Sequence, residues 1–205
     1  MQNRIGTHPN HTQMVEGPGC TRNGTKAQAL VGSSVIGVAG QPAVRLPVAN
    51  EIRGSALVDT ITLGKQLWLI FRTQQGSERA VRCHFGMAGS LQCVKRVEKV
   101  ALHQIERSRQ AKTLMLMIRF QGDSDISIYD ASVSLGDAAP ARKLVSEQQH
   151  LDVSSSTFDH MAAVATLLAV PPTTMISDAL LDQRVLPGVG NIIKNEGHAA
   201  DTNSL

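Results

Sequence analysis

Met14-Val15-Glu16-Gly17-Pro18-Gly19-Cys20-Thr21 is the stretch from which the rest of the chain is read. A start residue is followed by a small residue, a carboxylate and Gly-Pro-Gly. The Gly-Pro-Gly predicts a sharp turn with one φ fixed by the proline, which holds the preceding residue back against the protein. On residue type alone this is an ordinary turn entering a domain. It also has the layout of a site built on a protein N-terminus. If synthesis starts at Met14 and that Met is removed, Val15 carries a free α-amine. Such an amine titrates near about 7.7–8.0 and a lysine near about 10.4, so at pH 7.4 roughly a quarter of it is neutral against about a thousandth of a lysine. It attacks an aldehyde-like carbon to form a Schiff base, with Glu16 beside it to handle protons. With Met1–Met14 retained, the Val15 nitrogen is an amide and not a nucleophile.

Outward from that stretch, composition sets bounds. The chain has 205 residues, 42% hydrophobic, 18% charged and 3% aromatic. That is a globular balance with room for one large domain or two small ones. A net charge of +3 allows a polyanionic partner without demanding one. Cys20, Cys83 and Cys93 form an odd set with no C-x-x-C, which argues against a disulfide framework and against a zinc site in this chain. Free thiols suit a reducing compartment. The apolar runs Leu67–Phe71, Leu114–Ile118 and Met161–Val170 are far shorter than a membrane span, and no secretory signal is visible.

In chain order, residues 1–14 are polar and expected to be disordered. Cys20–Leu30 predicts a short helix, weakened by Gly24. Val35–Val38, Ala43–Val48, Ser55–Leu63 and Gln66–Phe71 read as short strands punctuated by Gly, Pro and Asn. Arg79–His84 and Ser90–Val94 read as a hairpin-like pair around Phe85–Gly89. Thr113–Phe120 and Asp125–Tyr129 read as a second pair. Lys95–Lys112 reads as a solvated excursion. Many short strands at close spacing predict an antiparallel sandwich or barrel. From Pro140 the pattern turns helical: Pro140–His150, then Ser156–Val170 stopped by Pro171-Pro172, then a helix capped at Thr173 or Thr174 and running through Arg184. Leu186-Pro187-Gly188-Val189-Gly190-Asn191 is a hairpin between two helices. Its glycines permit close backbone approach, and the N-terminus of the second helix is expected to offer free N–H groups to a phosphate. Taken alone, this block also fits a helix-hairpin-helix module. On composition alone, Lys65 is a solvated lysine, Met87 a core methionine and Lys194 part of a solvated helix face.

Four blocks in order carry a resemblance: Met14–Asn23, Thr62-Leu63-Gly64-Lys65-Gln66-Leu67, His84-Phe85-Gly86-Met87-Ala88-Gly89, and Leu186–Glu196. Residues 14 to 196 resemble the Fpg/Nei family of DNA glycosylases, most of all its endonuclease VIII-like 3 branch, whose mature chains begin with Val. The resemblance implies an α+β fold: an N-terminal two-layer antiparallel β-sandwich with flanking helices over 15–153, then an incomplete helix-two-turn-helix region over 154–205. It implies a base-excision-repair glycosylase with AP lyase activity, acting on oxidised bases in the nucleus as a monomer, with damaged DNA as partner and no membrane. Val15 is then the nucleophile, Glu16 supports base departure, and Lys65 assists β-elimination. Met87 fills the gap left by a flipped nucleotide, Asn191 binds a DNA phosphate, and Lys194 adds charge. The Arg-Phe pair that many members carry in a later strand turn is absent from Asp130–Leu135, which points to single-stranded or fork-like DNA. Members continue after the Glu196 position with two helices and a zinc-finger hairpin, so the resemblance implies a truncated chain with no metal or cofactor of its own. The alternative is a non-catalytic DNA-binding remnant of such an enzyme.

Overall fold

In a computed structural model the structure describes residues 16–95 and 112–202. The expectations for residues 1–14, for Val15 and for most of Lys95–Lys112 lie outside the described residues.

The architecture follows from strands that are apolar on alternate residues. β1 (Val35–Gly40), β5 (Ser90–Lys95), β6 (Leu114–Phe120) and β7 (Ser124–Tyr129) form one sheet in the order β1-β6-β7-β5. β2 (Ala56–Leu63), β3 (Gln66–Arg72), β4 (Glu78–His84) and β8 (Ser132–Asp137) form the other in the order β2-β3-β4-β8. Every strand pairing is antiparallel. One apolar cluster takes Leu116, Ile118, Phe120, Ile126 and Ile128 from the first sheet and Leu57, Leu67, Leu69, Phe71 and Val81 from the second. These residues recur at every second position, so one face of each sheet meets the other. Each large side chain buried there contributes about 1.5–3 kcal/mol relative to exposure. The fold is therefore the two-layer antiparallel sandwich of an α+β protein.

β3 explains its own unbroken apolar run. Leu67, Leu69 and Phe71 enter the core between the sheets, while Trp68 and Ile70 face a second cluster with Ala138 and Ala141. Those alanines belong to α3 (Ala138–Gln148), which covers the outer face of the second sheet. Arg142 on α3 ties down that cover through Asp59 at 2.8 Å and Glu78 at 2.9 Å.

Several expectations need correction. Gly17-Pro18-Gly19 is not a free-standing turn but the first turn of α1 (Gly17–Gln28), with Glu16 at the N-cap. Pro18 fits there because the first helical turn needs no N–H from it. Gly24 sits inside that helix because a side chain would press on Thr62 Cγ2 at 2.9 Å. Ala43–Val48 is not a strand; it lies in α2 (Pro42–Ile52). Val44, Val48 and Ile52 are spaced at four residues and all pack on the core, so helical spacing outweighs β-propensity. Arg79–His84 and Ser90–Val94 are not a hairpin: β4 pairs with β3 and β8, β5 pairs with β7, and Phe85–Gly89 crosses between the sheets. The pair β6–β7 is a hairpin as expected. β8 was not anticipated, although Val133 and Leu135 alternate toward the core.

After β8 the chain is helical. A 3-10 turn, Gln149–Leu151, follows α3, then come α4 (His160–Leu168), α5 (Ile176–Leu181) and α6 (Asn191–Thr202). α4 begins at His160 instead of Ser156, and Asp159 caps it, accepting from the Met161 and Ala162 N–H groups. α5 stops at Leu181 instead of reaching Arg184, because Asp182 turns extended. A third cluster, with Leu151, Ala163, Leu186 and Val189, packs these helices together. No described helix is long and apolar enough to cross a membrane.

Candidate active site

The site is where the start of α1 meets the start of α6. Glu16 is the N-cap of α1, yet its side chain makes no bond to that helix. It reaches instead to α6, where its Oε1 accepts from Ile192 N at 2.8 Å and its Oε2 from Ile193 N at 3.1 Å. These are the second and third N–H groups of a helix whose own preceding residue, Gly190, has no side chain with which to cap it. Glu16 thus acts as a cap supplied from 176 residues away in sequence. Gly190 makes the arrangement possible: a Cβ there would fall on Glu16 Oε1 and within 2.5 Å of its Cδ. The carboxyl group is 6% exposed and lies at the positive end of the helix. This corrects one expectation. The Ile192 and Ile193 N–H groups are not free for a phosphate; Glu16 occupies them.

Lys65 is brought to the same place by the β2–β3 turn. Gly64 has φ +55°, a conformation that favours glycine, and a Cβ there would lie 2.7 Å from Gly188 N. The turn therefore rests backbone-on-backbone against the 186–190 hairpin. Burial lowers the Lys65 pKa from the ordinary lysine value, and the charge of Glu16 partly raises it again. A cation whose proton is loosened by desolvation stands within the field of a fixed carboxylate.

A buried acid that the sequence did not single out joins these parts. Asp152 is 3% exposed; its Oδ2 accepts from Gly64 N at 2.6 Å and its Oδ1 from Ser154 N at 2.8 Å. Gly188 has φ +95°, and a Cβ there would lie 3.0 Å from Asp152 Oδ1. Gly17 N donates to Gly188 O at 3.0 Å, and Val153 N donates to Pro187 O at 3.2 Å. Gln183 closes the hairpin, accepting from Gly188 N at 3.1 Å and donating to Val189 O at 2.9 Å. The sequence predicts a helix running through Gln183 to Arg184, but the helix ends at Leu181. The Cys20 thiol lies beneath, pushed up to about 12 by burial and then by the charge of Asp152, so it stays protonated.

The remaining predicted residues are spread around this centre. Asn191 is exposed at the first position of α6, and Lys194 is half-buried one turn later. Met87 is 67% exposed at the tip of the Phe85–Gly89 crossing, not in the core. That tip is rigid at its base. Phe85 is buried, Gly89 N donates to Phe85 O at 2.8 Å, and Lys112 Nζ donates to Ala88 O at 3.0 Å. The structure places Lys65 within the electrostatic reach of Glu16, and Asn191 precedes the Ile192 and Ile193 N–H groups that hold Glu16. Val15 precedes Glu16 by one residue and lies outside the described residues. Among the described residues, no group of three His, Cys, Asp or Glu is arranged to hold a metal ion.

Comparison with known proteins agrees with the fold. No family model matches the chain. Endonuclease 8-like 3 of Mus musculus is 35% identical over 213 residues, covering 89% of this chain and 33% of that protein. The chain thus spans about a third of the length of the curated relatives it matches. The fold superposes on a viral DNA glycosylase with a TM-score of 0.71 at 18% identity, over 87% of this chain and 67% of that one. It also superposes on Lactococcus lactis Fpg (MutM), in a complex with DNA containing N7-benzyl-Fapy-dG, with a TM-score of 0.64 at 18% identity, over 88% of this chain and 65% of that one.

Proposed function

We propose that this chain, which belongs to the Fpg/Nei family and is endonuclease 8-like 3-related, is a base-excision-repair DNA glycosylase with associated AP lyase activity. Its substrate is an oxidised base in single-stranded or fork-like DNA, and its place is the nucleus, as a monomer. The observation that carries the reading is the Glu16 carboxylate held at the start of α6, with the turn that bears Lys65 resting on the adjoining 186–190 hairpin. A carboxylate and an amine of loosened proton are the groups that sugar opening and β-elimination require.

Glu16 supports opening of the deoxyribose as the damaged base departs. The Val15 amine attacks C1′ and displaces the base, and breaking of the C1′–O4′ bond with a proton delivered to O4′ gives the Schiff base. Removal of a proton from C2′, assisted by Lys65, breaks the bond to the 3′ phosphate and leaves an unsaturated sugar on the enzyme. Water then releases it and restores the amine. Met87, exposed on its anchored tip, fills the stack left by the extruded nucleotide and offsets part of the unstacking cost. Asn191 and Lys194 contact the backbone phosphates. A valine amine is primary, and its imine is less activated than the iminium of a secondary amine, so strand cleavage is slower than base excision. Support for open substrates comes from Asp130–Leu135, which carries neither Arg nor Phe to hold an orphaned base.

The test is single-turnover excision of an oxidised pyrimidine from a single-stranded oligonucleotide and from its duplex, by the chain freed at Val15. The reading expects faster excision from the single strand, loss of excision in Glu16→Gln, and cleavage lagging behind excision. Salt-sensitive DNA binding without excision by a folded sample would replace it with the alternative of a non-catalytic DNA-binding chain.

A further inference from the structure

We propose that Asp152 is a positioning residue for Lys65: its buried carboxylate fixes the β2–β3 turn on the 186–190 hairpin and so sets where Lys65 stands relative to Glu16. This rests on the lyase reading above and adds a residue to it.

Asp152 holds the backbone N–H of the residue immediately before Lys65, at 2.6 Å and across 88 residues of sequence. Its other oxygen is committed to Ser154 N, so the carboxylate is anchored on its own loop while it grips the turn. The grip matters because Gly64 has no side chain and touches the hairpin through backbone alone, with Gly188 N and Pro187 carbons opposite it. A buried carboxylate is costly unless charge-assisted bonds offset its desolvation, and here two N–H donors do so. Asparagine cannot replace it without loss, because it presents one acceptor oxygen and turns an NH2 toward the other donor.

The geometry also predicts a separation of effects. Glu16 is fixed by Ile192 and Ile193, and neither bond passes through Asp152. Weakening the grip of Asp152 therefore displaces Lys65 and leaves Glu16 in place. Schiff-base formation survives and elimination suffers.

The experiment compares Asp152→Asn, Lys65→Ala and the double variant. Each is made in the full chain, folded, and then cut before Val15 at an introduced protease site, with the melting temperature recorded before and after. On a single-stranded oligonucleotide with an abasic site, two rates are read: borohydride-trapped adduct and strand cleavage. Asp152→Asn is expected to slow cleavage about tenfold or more while trapping changes less than about twofold. The double variant should cleave no more slowly than Lys65→Ala, since Asp152 acts through Lys65. Equal losses in trapping and cleavage, or a further loss in the double variant, overturn this inference and leave the lyase reading standing. If Asp152→Asn does not fold, Asp152→Glu keeps the charge and both acceptors on a longer arm; the same split supports the inference and equal losses overturn it. A folded, processed parent chain that traps nothing overturns the lyase reading, and this inference with it.

Discussion

At Gly190 the backbone enters α6 without a side chain, and Glu16 fills the space a Cβ would take. Gly190→Ala is therefore expected to push Glu16 off the helix. The cost is about 1–3 kcal/mol for two part-buried N–H groups left without their partner, with base excision reduced about a hundredfold or more. Urea melts and single-turnover excision check this; unchanged excision would separate the carboxylate from the chemistry. Lys65 gives a prediction of opposite sign. Its pKa is lowered on folding, so the unfolded chain binds more protons between that lowered value and the ordinary lysine value. Stability then rises with pH through that window, and below it the cost of burying the cation is carried in full. Lys65→Met should raise the melting temperature at pH 7 while slowing strand cleavage. Because the Glu16 charge raises Lys65, Glu16→Gln should move the Lys65 titration further down, as followed by NMR of the labelled lysine; an upward move would contradict their proximity. Glu16, Lys65 and Met87 were legible in the sequence because each sits in a short block with a recognisable layout. Asp152 was not, because Leu151-Asp152-Val153-Ser154 is unremarked locally and its partner, Gly64, is 88 residues away.

Among the elements, strands were easier to read than their pairing. Short β-forming runs punctuated by Gly, Pro and Asn located β1 to β7. They could not show that Phe85–Gly89 is a crossing between sheets, which is a property of partners far along the chain. α2 was misread because Ala43–Val48 has β-forming residues and Pro47, while its decisive four-residue spacing extends to Ile52 beyond the window. The crossing itself yields a test. Met87 is exposed and its base is anchored, so Met87→Ala should change stability by less than about 0.5 kcal/mol yet weaken binding to DNA with an extruded base. Lys112→Ala removes the bonds to Ala88 O and Ser90 Oγ and should reproduce part of that binding loss. Paired melting and anisotropy measurements distinguish a wedge from a packing residue: a lowered melting temperature with unchanged DNA binding would return Met87 to a structural role.

On the scale of the whole molecule, the sandwich supplies one wall and the helical region the other. The site forms because four glycines, Gly17, Gly64, Gly188 and Gly190, let backbones and the Glu16 carboxylate meet where side chains would collide. The glycines were visible in the sequence, but their common meeting point was not. The helical region also presents Met161, Leu168, Met175 and Ile176 to solvent. Replacing Met161 and Leu168 by Ser should leave the melting temperature of this chain nearly unchanged, within about 0.5 kcal/mol for each, because neither is buried in it. A large loss would show that this face is already packed in solution.

The central claim is that the Val15 amine is the nucleophile. Its most direct test is borohydride trapping on single-stranded DNA with an abasic site, using the 205-residue chain before and after cleavage to Val15, with the adduct located by mass spectrometry. An adduct on the Val15 nitrogen, formed only after cleavage, is the predicted result. An adduct on Lys65 or another lysine, or equal trapping by the uncut chain, would contradict it.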